Sequence, residues 1–302
     1  MTESKVTNTA IEKEHSVKKA WRLLRETFAE WNDDKASQMA AALAYYTVFS
    51  LAPLLIIVIA VAGFFFGEEA ARGEIVGQIK GLVGTDGATV IQTALENSHR
   101  PGSNTSIIAS LISIAVLIFG ASGVFVQLQE SLNTIWDVDP QTQQGISNVV
   151  RKRAMSFAVV LSIGFLLLVS LVISAALSAV NTFASGLLPG FDLLWQVINI
   201  FLSFLVTTIL FALIYKYLPD VSVTWHDVWI GAIITSILFS IGRHLIGLYL
   251  GNSSFGSTYG AAGSLVILLA WIYYSIQILF FGAEFTQVYA RRYGSQVQPL
   301  AE

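Results

Sequence analysis

The residues from Gln38 to Phe66 form an uncharged and almost wholly apolar run, which constrains the fold more than any other feature. A helix rises about 1.5 Å per residue, so this run is longer than the ~30 Å hydrocarbon core of a bilayer. Further apolar runs follow at 106–127, 154–180, 197–217, 228–250 and 262–289. Only helices or closed barrels satisfy their backbone hydrogen bonds in lipid, and runs this long predict six transmembrane helices.

The composition also favours a membrane protein. Hydrophobic residues make up 54% of the 302 residues and charged residues 12%, whereas soluble domains contain about a quarter charged residues. The absence of cysteine excludes disulfides, thiolate metal sites and cysteine nucleophiles. The first apolar run follows a long charged segment and exceeds the length of a signal-peptide core, so we expect a retained span rather than a cleaved signal.

The distribution of basic residues predicts the orientation. Of the 17 Lys and Arg residues, 13 fall on one side of the predicted spans, three fall on the other, and Arg243 lies inside the fifth span. Cytoplasmic loops carry the Lys and Arg excess, so both termini are predicted to be cytoplasmic. The expected organisation is a cytoplasmic segment (1–37), a six-span membrane domain (38–290) and a cytoplasmic tail (291–302).

Amphipathic helices are predicted beside the spans. At 15–32 one helical face is apolar, and it comprises Val17, Ala20, Trp21, Leu24, Phe28 and Trp31. This helix either lies on the cytoplasmic membrane surface or packs on the inner ends of the spans. Two short amphipathic patterns, at 74–83 and 88–98, are expected on the outer surface.

The second span is predicted to continue as a helix beyond the membrane. Its expected apolar face comprises Val124, Phe125, Leu128, Leu132, Ile135 and Trp136. Glu130 and Asp137 fall off that face, so the helix is expected to bury one side and to expose the other.

Four stretches carry a family resemblance. They read DDKASQMAAALAYYTVFSLAPLL from Asp33, QLQESLNTIWDV from Gln127, YKYLPDVSVTWHDVWIGAI from Tyr215 and YGAAGSLVILLAWIYYSIQILFFGAEF from Tyr259. They resemble the signature stretches of the YihY/BrkB family of bacterial inner-membrane proteins, over about residues 22–289. The resemblance implies six spans and a multi-pass inner-membrane location. Family members carry the names virulence factor BrkB and ribonuclease BN, and some are thought to move lipid or other amphiphilic solutes.

Arg243 and His244 are the candidate substrate-binding residues. They lie about 15 residues into the fifth predicted span, where an Arg costs on the order of 2.5–3.5 kcal/mol by insertion scales. Arg243 is therefore expected to face a cavity or a partner, and it can bind a phosphate or carboxylate head group bidentately. The alternative is a structural role, in which Arg243 reaches the outer headgroups or pairs with an outer acid such as Asp192, Glu68 or Glu69.

Glu284 lies near the inner end of the sixth predicted span. It is either a structural charge, paired with Lys216 or with the basic cluster at 151–153, or a proton-coupling carboxylate.

Three residues are candidate hinges. Pro53 lies in the middle of the first span, where a proline frees a backbone carbonyl and tends to kink the helix. Gly256 and Gly260 precede the sixth span. Ordinary kinks and turns are the alternative interpretation of all three residues.

The sequence thus favours a transporter or exporter of a lipid-like or anionic amphiphilic solute, with membrane lipids as partners. A non-transporting membrane interaction or structural protein is the alternative. A membrane-associated ribonuclease is the third and disfavoured hypothesis, because metal-dependent nucleases need clustered ligands and the four His residues are scattered along the chain. No Gly-rich phosphate loop is present, so ATP-driven transport within this chain is not expected. We therefore expect no catalytic residue, metal, cofactor or nucleic-acid partner, and the pattern carries no signal for an oligomeric state.

Overall fold

The computed structural model describes residues 3–67, 69, 72–73, 76–77, 92–93, 123–138, 192–252 and 263–295. Six helices account for most of these residues: α1 (Glu3–Asp33), α2 (Ala36–Phe66), α3 (123–135), α4 (Asp192–Tyr217), α5 (Trp225–Asn252) and α6 (Gly263–Arg292). Within these ranges the chain forms helices and turns without a β-sheet, which confirms the all-α class for this part of the protein.

Among the described residues, three helices are long and apolar enough to cross a membrane. They are α4 over Ile200–Tyr217, α5 over Trp225–Ile246 and α6 over Leu265–Arg292, and they match the fourth, fifth and sixth predicted spans. Helix α2 contains the whole first predicted span in 31 residues, or about 46 Å. The third span, most of the second span and most of the two short outer patterns lie outside the described residues. The six-span topology and the cytoplasmic termini therefore stay predictions.

Helices α5 and α6 approach each other through reciprocal contacts between glycine and threonine. A Cβ atom on Gly231 of α5 would lie 1.8 Å from Oγ1 of Thr286 on α6. A Cβ atom on Gly282 of α6 would lie 1.9 Å from Oγ1 of Thr235 on α5. Small residues allow such close approach in lipid, where hydrophobic burial does not drive helix association.

Tyr215 joins α4 to this contact. Its side chain is fully buried, and its hydroxyl donates a hydrogen bond to the Leu279 carbonyl oxygen (2.8 Å) on α6. The same hydroxyl lies 3.0 Å from Oγ1 of Thr235 on α5. A buried hydroxyl is costly without a partner, so this group stabilises the meeting point of the three helices.

Helix α1 packs on α6 through a face that the sequence analysis did not predict. Leu23 and Thr27 are buried, and Leu23 belongs to a small core formed with residues of α6. The predicted apolar face is mostly exposed instead, with Trp21 70% and Phe28 60% exposed. Packing on the end of a span is thus observed, and the exposed face stays available for the membrane surface. The helix also begins at Glu3 rather than near residue 15.

Helix α3 has the predicted apolar face. Its buried side chains are Phe125, Leu128, Leu132, Ile135 and Trp136, and Val124 is partly buried. Glu130 and Asp137 are exposed, as expected. The helix ends with Asp137 in the left-handed conformation (φ 53°), where the Val138 amide donates to the Asn133 carbonyl (2.9 Å). This helix ending satisfies a carbonyl that the helix would otherwise leave free, and it fixes the position of the Asp137 side chain.

The turn between α1 and α2 is short. It consists of Asp34 and Lys35, and Lys35 adopts a left-handed conformation (φ 54°). The Asp34 amide donates to the Glu30 carbonyl (2.9 Å), and the Gln38 amide donates to the Lys35 carbonyl (2.8 Å). We call the region where this turn meets the ends of α3, α4 and α6 and the start of α5 the polar end of the bundle.

Gly282→Ala is expected to destabilise the α5–α6 contact, because a Cβ atom within 2 Å of a threonine oxygen forces the helices apart. The expected loss is about 1–3 kcal/mol or more. The measurement is the unfolding midpoint in detergent, followed by size-exclusion chromatography of heated samples. Gly123→Ala is the matched control, since its nearest neighbour would be Cδ1 of Tyr46 at 3.7 Å. An unchanged midpoint for Gly282→Ala would contradict the close approach.

Candidate functional site

An apolar cavity of about 370 Å³ lies among α2, α3, α4, α5 and α6. Its walls are mainly aliphatic and aromatic, with Leu43 from α2, Leu128 from α3, Phe211 from α4, Phe239 from α5 and Trp271 from α6. Ligand pockets in proteins have volumes of about 300–1,000 Å³ and largely apolar walls. The cavity is therefore large enough for a hydrocarbon group.

Two hydroxyl side chains among the described residues line the cavity, and both form hydrogen bonds within their own helices. Thr47 donates to the Leu43 carbonyl (2.7 Å), and Ser275 donates to the Trp271 carbonyl (2.9 Å). A hydroxyl bonded in this way contributes little polarity to the cavity. The wall formed by the described residues thus favours an apolar occupant.

Arg243 lies one turn beyond the cavity-lining residue Phe239, toward the Asn252 end of α5. Residues four apart share a helix face, so Arg243 continues the cavity-facing side of α5. It lies 18 residues beyond Trp225, which is about 27 Å along the helix. The side chain is exposed, and within the described ranges no acidic residue forms an ion pair with it.

His244 does not share this position. Its side chain is exposed, and its Nδ1 atom lies 2.9 Å from the Ser240 carbonyl oxygen on its own helix. Consecutive helical residues point about 100° apart, so the two side chains leave the helix in different directions. The role of both residues in substrate binding stays a prediction.

Glu284 is fully buried near the polar end of α6. Neither of its carboxyl oxygens has a hydrogen-bond donor among the described residues. The charged groups that act on it are three further acids: Asp34 from the α1–α2 turn, Glu30 from α1 and Asp137 from the end of α3. Glu284 of α6 thus lies within the electrostatic influence of acids from α1, the α1–α2 turn and α3.

The predicted pairing of Glu284 with Lys216 is absent from the described part of the protein. Lys216 donates to the Val223 carbonyl, and its ammonium lies 5.8 Å from the centre of the Trp225 ring. The basic cluster at 151–153, which was the other predicted partner, lies outside the described residues. Lys216 thus closes the α4–α5 turn rather than neutralising Glu284.

The arginines at the end of α6 pair with glutamates of α1. Arg291 bonds to both Glu26 (3.2 Å) and Glu30, and Arg292 bonds to Glu26. Burial acts to raise the pKa of Glu26, but the bonds and charges of Arg292 and Arg291 outweigh it and lower that pKa. For Asp34, burial and the charges of Asp137 and Glu30 raise the pKa to about 6.

A set of polar contacts holds α3 in place at this end. Asp220, in the α4–α5 turn, accepts hydrogen bonds from Gln129 (3.1 Å) and Asn133 (2.9 Å), and its amide donates to Oδ1 of Asn133 (2.8 Å). Gln287 of α6 donates to Asp137 (3.2 Å). These residues were not predicted from the sequence. The four-residue spacing of Gln129 and Asn133 on α3 was a signal for a shared polar partner.

Only one of the three candidate hinges lies among the described residues. Pro53 lies within the continuous helix α2, and its hinge role stays a prediction. The hydroxyl of Ser50, three residues before Pro53, donates to the Tyr46 carbonyl (2.7 Å). Gly256 and Gly260 lie outside the described residues. In the described part of the chain, no group of three His, Asp or Glu residues is arranged to bind a metal ion.

The raised pKa of Asp34 predicts that the α1–α2 turn binds more weakly to α6 as the pH rises. The folded state holds the Asp34 proton up to about pH 6, whereas an ordinary Asp loses it near 3.8. This contribution is fully present below about pH 3.8 and is lost as the pH rises through about 6. Hydrogen exchange of the turn amides, corrected for intrinsic rates, should show less protection above this window than below it.

The control for this experiment is the neighbouring acid. Asp34→Asn should remove the pH dependence of protection, whereas Asp33→Asn, at an exposed position, should keep it. A pH dependence that survives in Asp34→Asn would assign it to another group.

Comparison with known proteins places the chain in a family. The model of the family described as Virulence factor BrkB matches residues 27–302. A UPF0761 membrane protein from Psychromonas ingrahamii is 30% identical over 279 residues, which cover 89% of this chain and 88% of the relative. One from Verminephrobacter eiseniae is 27% identical over 272 residues, which cover 88% of this chain and 62% of the relative.

Other relatives differ in length. The chain spans 64% of a relative from Kangiella koreensis and 50% of one from a Psychrobacter species, both also UPF0761 membrane proteins. No solved structure matches. The resemblance carried by the four sequence motifs is confirmed, and this chain belongs to the Virulence factor BrkB family of membrane proteins.

Proposed function

We propose that this membrane protein is a transporter of a lipid-like or anionic amphiphilic solute in the bacterial inner membrane. The observation that carries the proposal is the apolar cavity of about 370 Å³ with Arg243 one helical turn beyond its wall. In this proposal the cavity holds the hydrocarbon part of the solute, and Arg243 binds the negatively charged head group.

The spacing of the two parts suits one molecule. Phe239 and Arg243 are four residues apart, or about 6 Å along the helix, so an amphiphile can contact both at once. An Arg side chain binds phosphate and carboxylate groups through parallel hydrogen bonds. Binding of a head group would also offset the cost of an arginine in a membrane-spanning helix.

A non-transporting membrane interaction or structural protein remains the alternative. The observation that favours it is the exposed aromatic face of α1, with Trp21 and Phe28, beside closely packed α4, α5 and α6. The ribonuclease hypothesis stays disfavoured for the sequence reasons given above. The proposed transport involves no chemical step on the solute and no cofactor.

Native mass spectrometry of the gently solubilised protein tests the proposal. The wild type should retain an anionic amphiphile, and Arg243→Leu should lose it by about tenfold or more, because a hydrogen bond to a charged group contributes about 1.5–3 kcal/mol. Arg243→Lys should retain part of the binding, since it keeps the charge but not the bidentate geometry.

A second pair of variants tests the cavity. Ser275→Leu narrows the cavity and should weaken retention, whereas Ser203→Leu, at an exposed position of α4 outside the cavity lining, should not. Transport of a fluorescent anionic lipid in proteoliposomes should follow the same order. Equal retention in the wild type and Arg243→Leu would refute the head-group assignment. Absence of any retained amphiphile would favour the non-transporting alternative.

A further inference from the structure

We infer that Glu284 and Asp34 form a proton-binding site at the polar end of the bundle, where one shared proton holds the α1–α2 turn against α6. If the proposed transport is correct, this proton is the ion coupled to solute movement. The coupling therefore rests on the proposed function, whereas the proton site itself does not.

The inference rests on the burial of Glu284 and on the lack of hydrogen-bond donors to its carboxyl group. Glu284 is fully buried, and no described residue donates a hydrogen bond to either of its carboxyl oxygens. Its carboxyl group adjoins that of Asp34, which is half-buried in the α1–α2 turn. Two ionised carboxylates are both acceptors and repel each other, whereas a proton between them gives each a hydrogen-bond partner.

The charges around Glu284 also favour a bound proton. Asp34, Glu30 and Asp137 act on Glu284 from the α1–α2 turn, α1 and α3, and Asp33 adds a weaker charge at Asp34. All of these groups are acidic and disfavour a second negative charge. A buried carboxylate without a compensating cation is costly, so the neutral acid is the stable form.

The described cations nearest this end have other partners. Arg291 bonds to Glu26 and Glu30, and Arg292 bonds to Glu26. Lys216 of α4 bonds to the Val223 carbonyl.

The acid at the start of α5 is also engaged elsewhere. Asp227 accepts hydrogen bonds from Thr224 (2.9 Å) and from the amide (3.1 Å) and hydroxyl (2.8 Å) of Ser295, and it lies 3.5 Å from Nδ1 of His226. Lys35 follows Asp34 directly, but its side chain is exposed.

A second buried polar group faces this cluster. Gln287 lies one turn beyond Glu284 on α6 and is 7% exposed. Its amide nitrogen bonds to Asp137, whereas its Oε1 atom is buried and has no donor among the described residues. Buried polar atoms are normally paired, and a protonated carboxyl group in this cluster would add a donor where the described residues supply none.

The proton can exchange with solvent, and its loss or binding changes the contact between the α1–α2 turn and α6. Asp34 is half-buried, so a proton can pass from Glu284 to the Asp34 carboxylate and from there to solvent at the polar end. Loss of the proton leaves two adjacent carboxylates, which repel the α1–α2 turn from α6. Rebinding restores the contact. The position of α1 and α2 relative to α6 thus follows the occupancy of the site.

Infrared difference spectroscopy of the protein in lipid nanodiscs tests the site without any solute. A protonated carboxylic acid has a carbonyl stretch separate from the amide and carboxylate bands. The wild type should show this band at neutral pH, and Glu284→Gln, which mimics the neutral acid, should lack it. Glu130→Gln is the matched control, since Glu130 is an exposed acid of α3, and it should keep the band.

Asp34→Asn provides a second, independent variant at a half-buried position. The substitution removes a negative charge beside Glu284, and the new amide can donate a hydrogen bond to the ionised Glu284 carboxylate. Glu284 should therefore lose its proton, and the acid band should disappear, at a lower pH than in the wild type. A wild type without the band, or a band unchanged in Glu284→Gln, would overturn the proton site.

The coupling of this proton to solute transport is tested by a separate experiment. Solute transport in proteoliposomes should depend on a pH gradient in the wild type and lose this dependence in Glu284→Gln. If transport proceeds but ignores the gradient in both proteins, the coupling is wrong even when the infrared band is present. If the band behaves as expected and no solute moves, the proton site is supported and the proposed function fails.

Discussion

The close approach of α5 and α6 at Gly231 and Gly282 is the constraint on which the rest of the structure depends. Hydrocarbon lipid supplies neither hydrogen-bond partners nor a hydrophobic force between helices, so steric fit and internal hydrogen bonds must hold a membrane bundle together. The two glycines leave space for the side chains of Thr286 and Thr235. The Tyr215 hydroxyl holds α4 at the same contact through its hydrogen bonds. The positions of the cavity and of the polar end both follow from this three-helix contact.

The requirement that buried polar groups find hydrogen-bond partners within the protein has different results at the two candidate sites. Around the cavity, the hydroxyls of Thr47 and Ser275 are bonded to their own helices, and the wall remains apolar. At the polar end, the hydrogen bonds of Asp220 fix α3, and Gln287 holds Asp137 toward α6. Glu284 is left as a buried acid among acids. One site thus suits hydrocarbon, and the other suits a proton.

Much of the fold could be predicted from local patterns. The length of the apolar runs identified α2, α4, α5 and α6, and the helical spacing of Leu128, Leu132 and Ile135 identified the buried face of α3. The apolar face predicted for α1 is real, but it is exposed, and Leu23 and Thr27 make the packing contact instead. A periodic pattern shows that a face is apolar, and it does not show whether lipid or protein covers that face.

The candidate sites depended on contacts between distant parts of the chain. Arg243 and Glu284 were identified because a charge in an apolar run is conspicuous. Asp34 and Asp137 were not singled out as site residues, because each lies in a polar segment where an acid is ordinary. Their importance comes only from the turn after α1 and the helix ending after α3, which bring both to Glu284. Sequence spacing alone does not contain that juxtaposition.

The most direct test of the account is an experimental structure of the protein in a lipid nanodisc at a resolution that shows bound lipid. The account predicts elongated density in the cavity between Phe211, Phe239 and Trp271, with a head group at Arg243. A cavity filled by the protein's own side chains, or an amphiphile bound elsewhere with Arg243 facing only bulk headgroups, would contradict it.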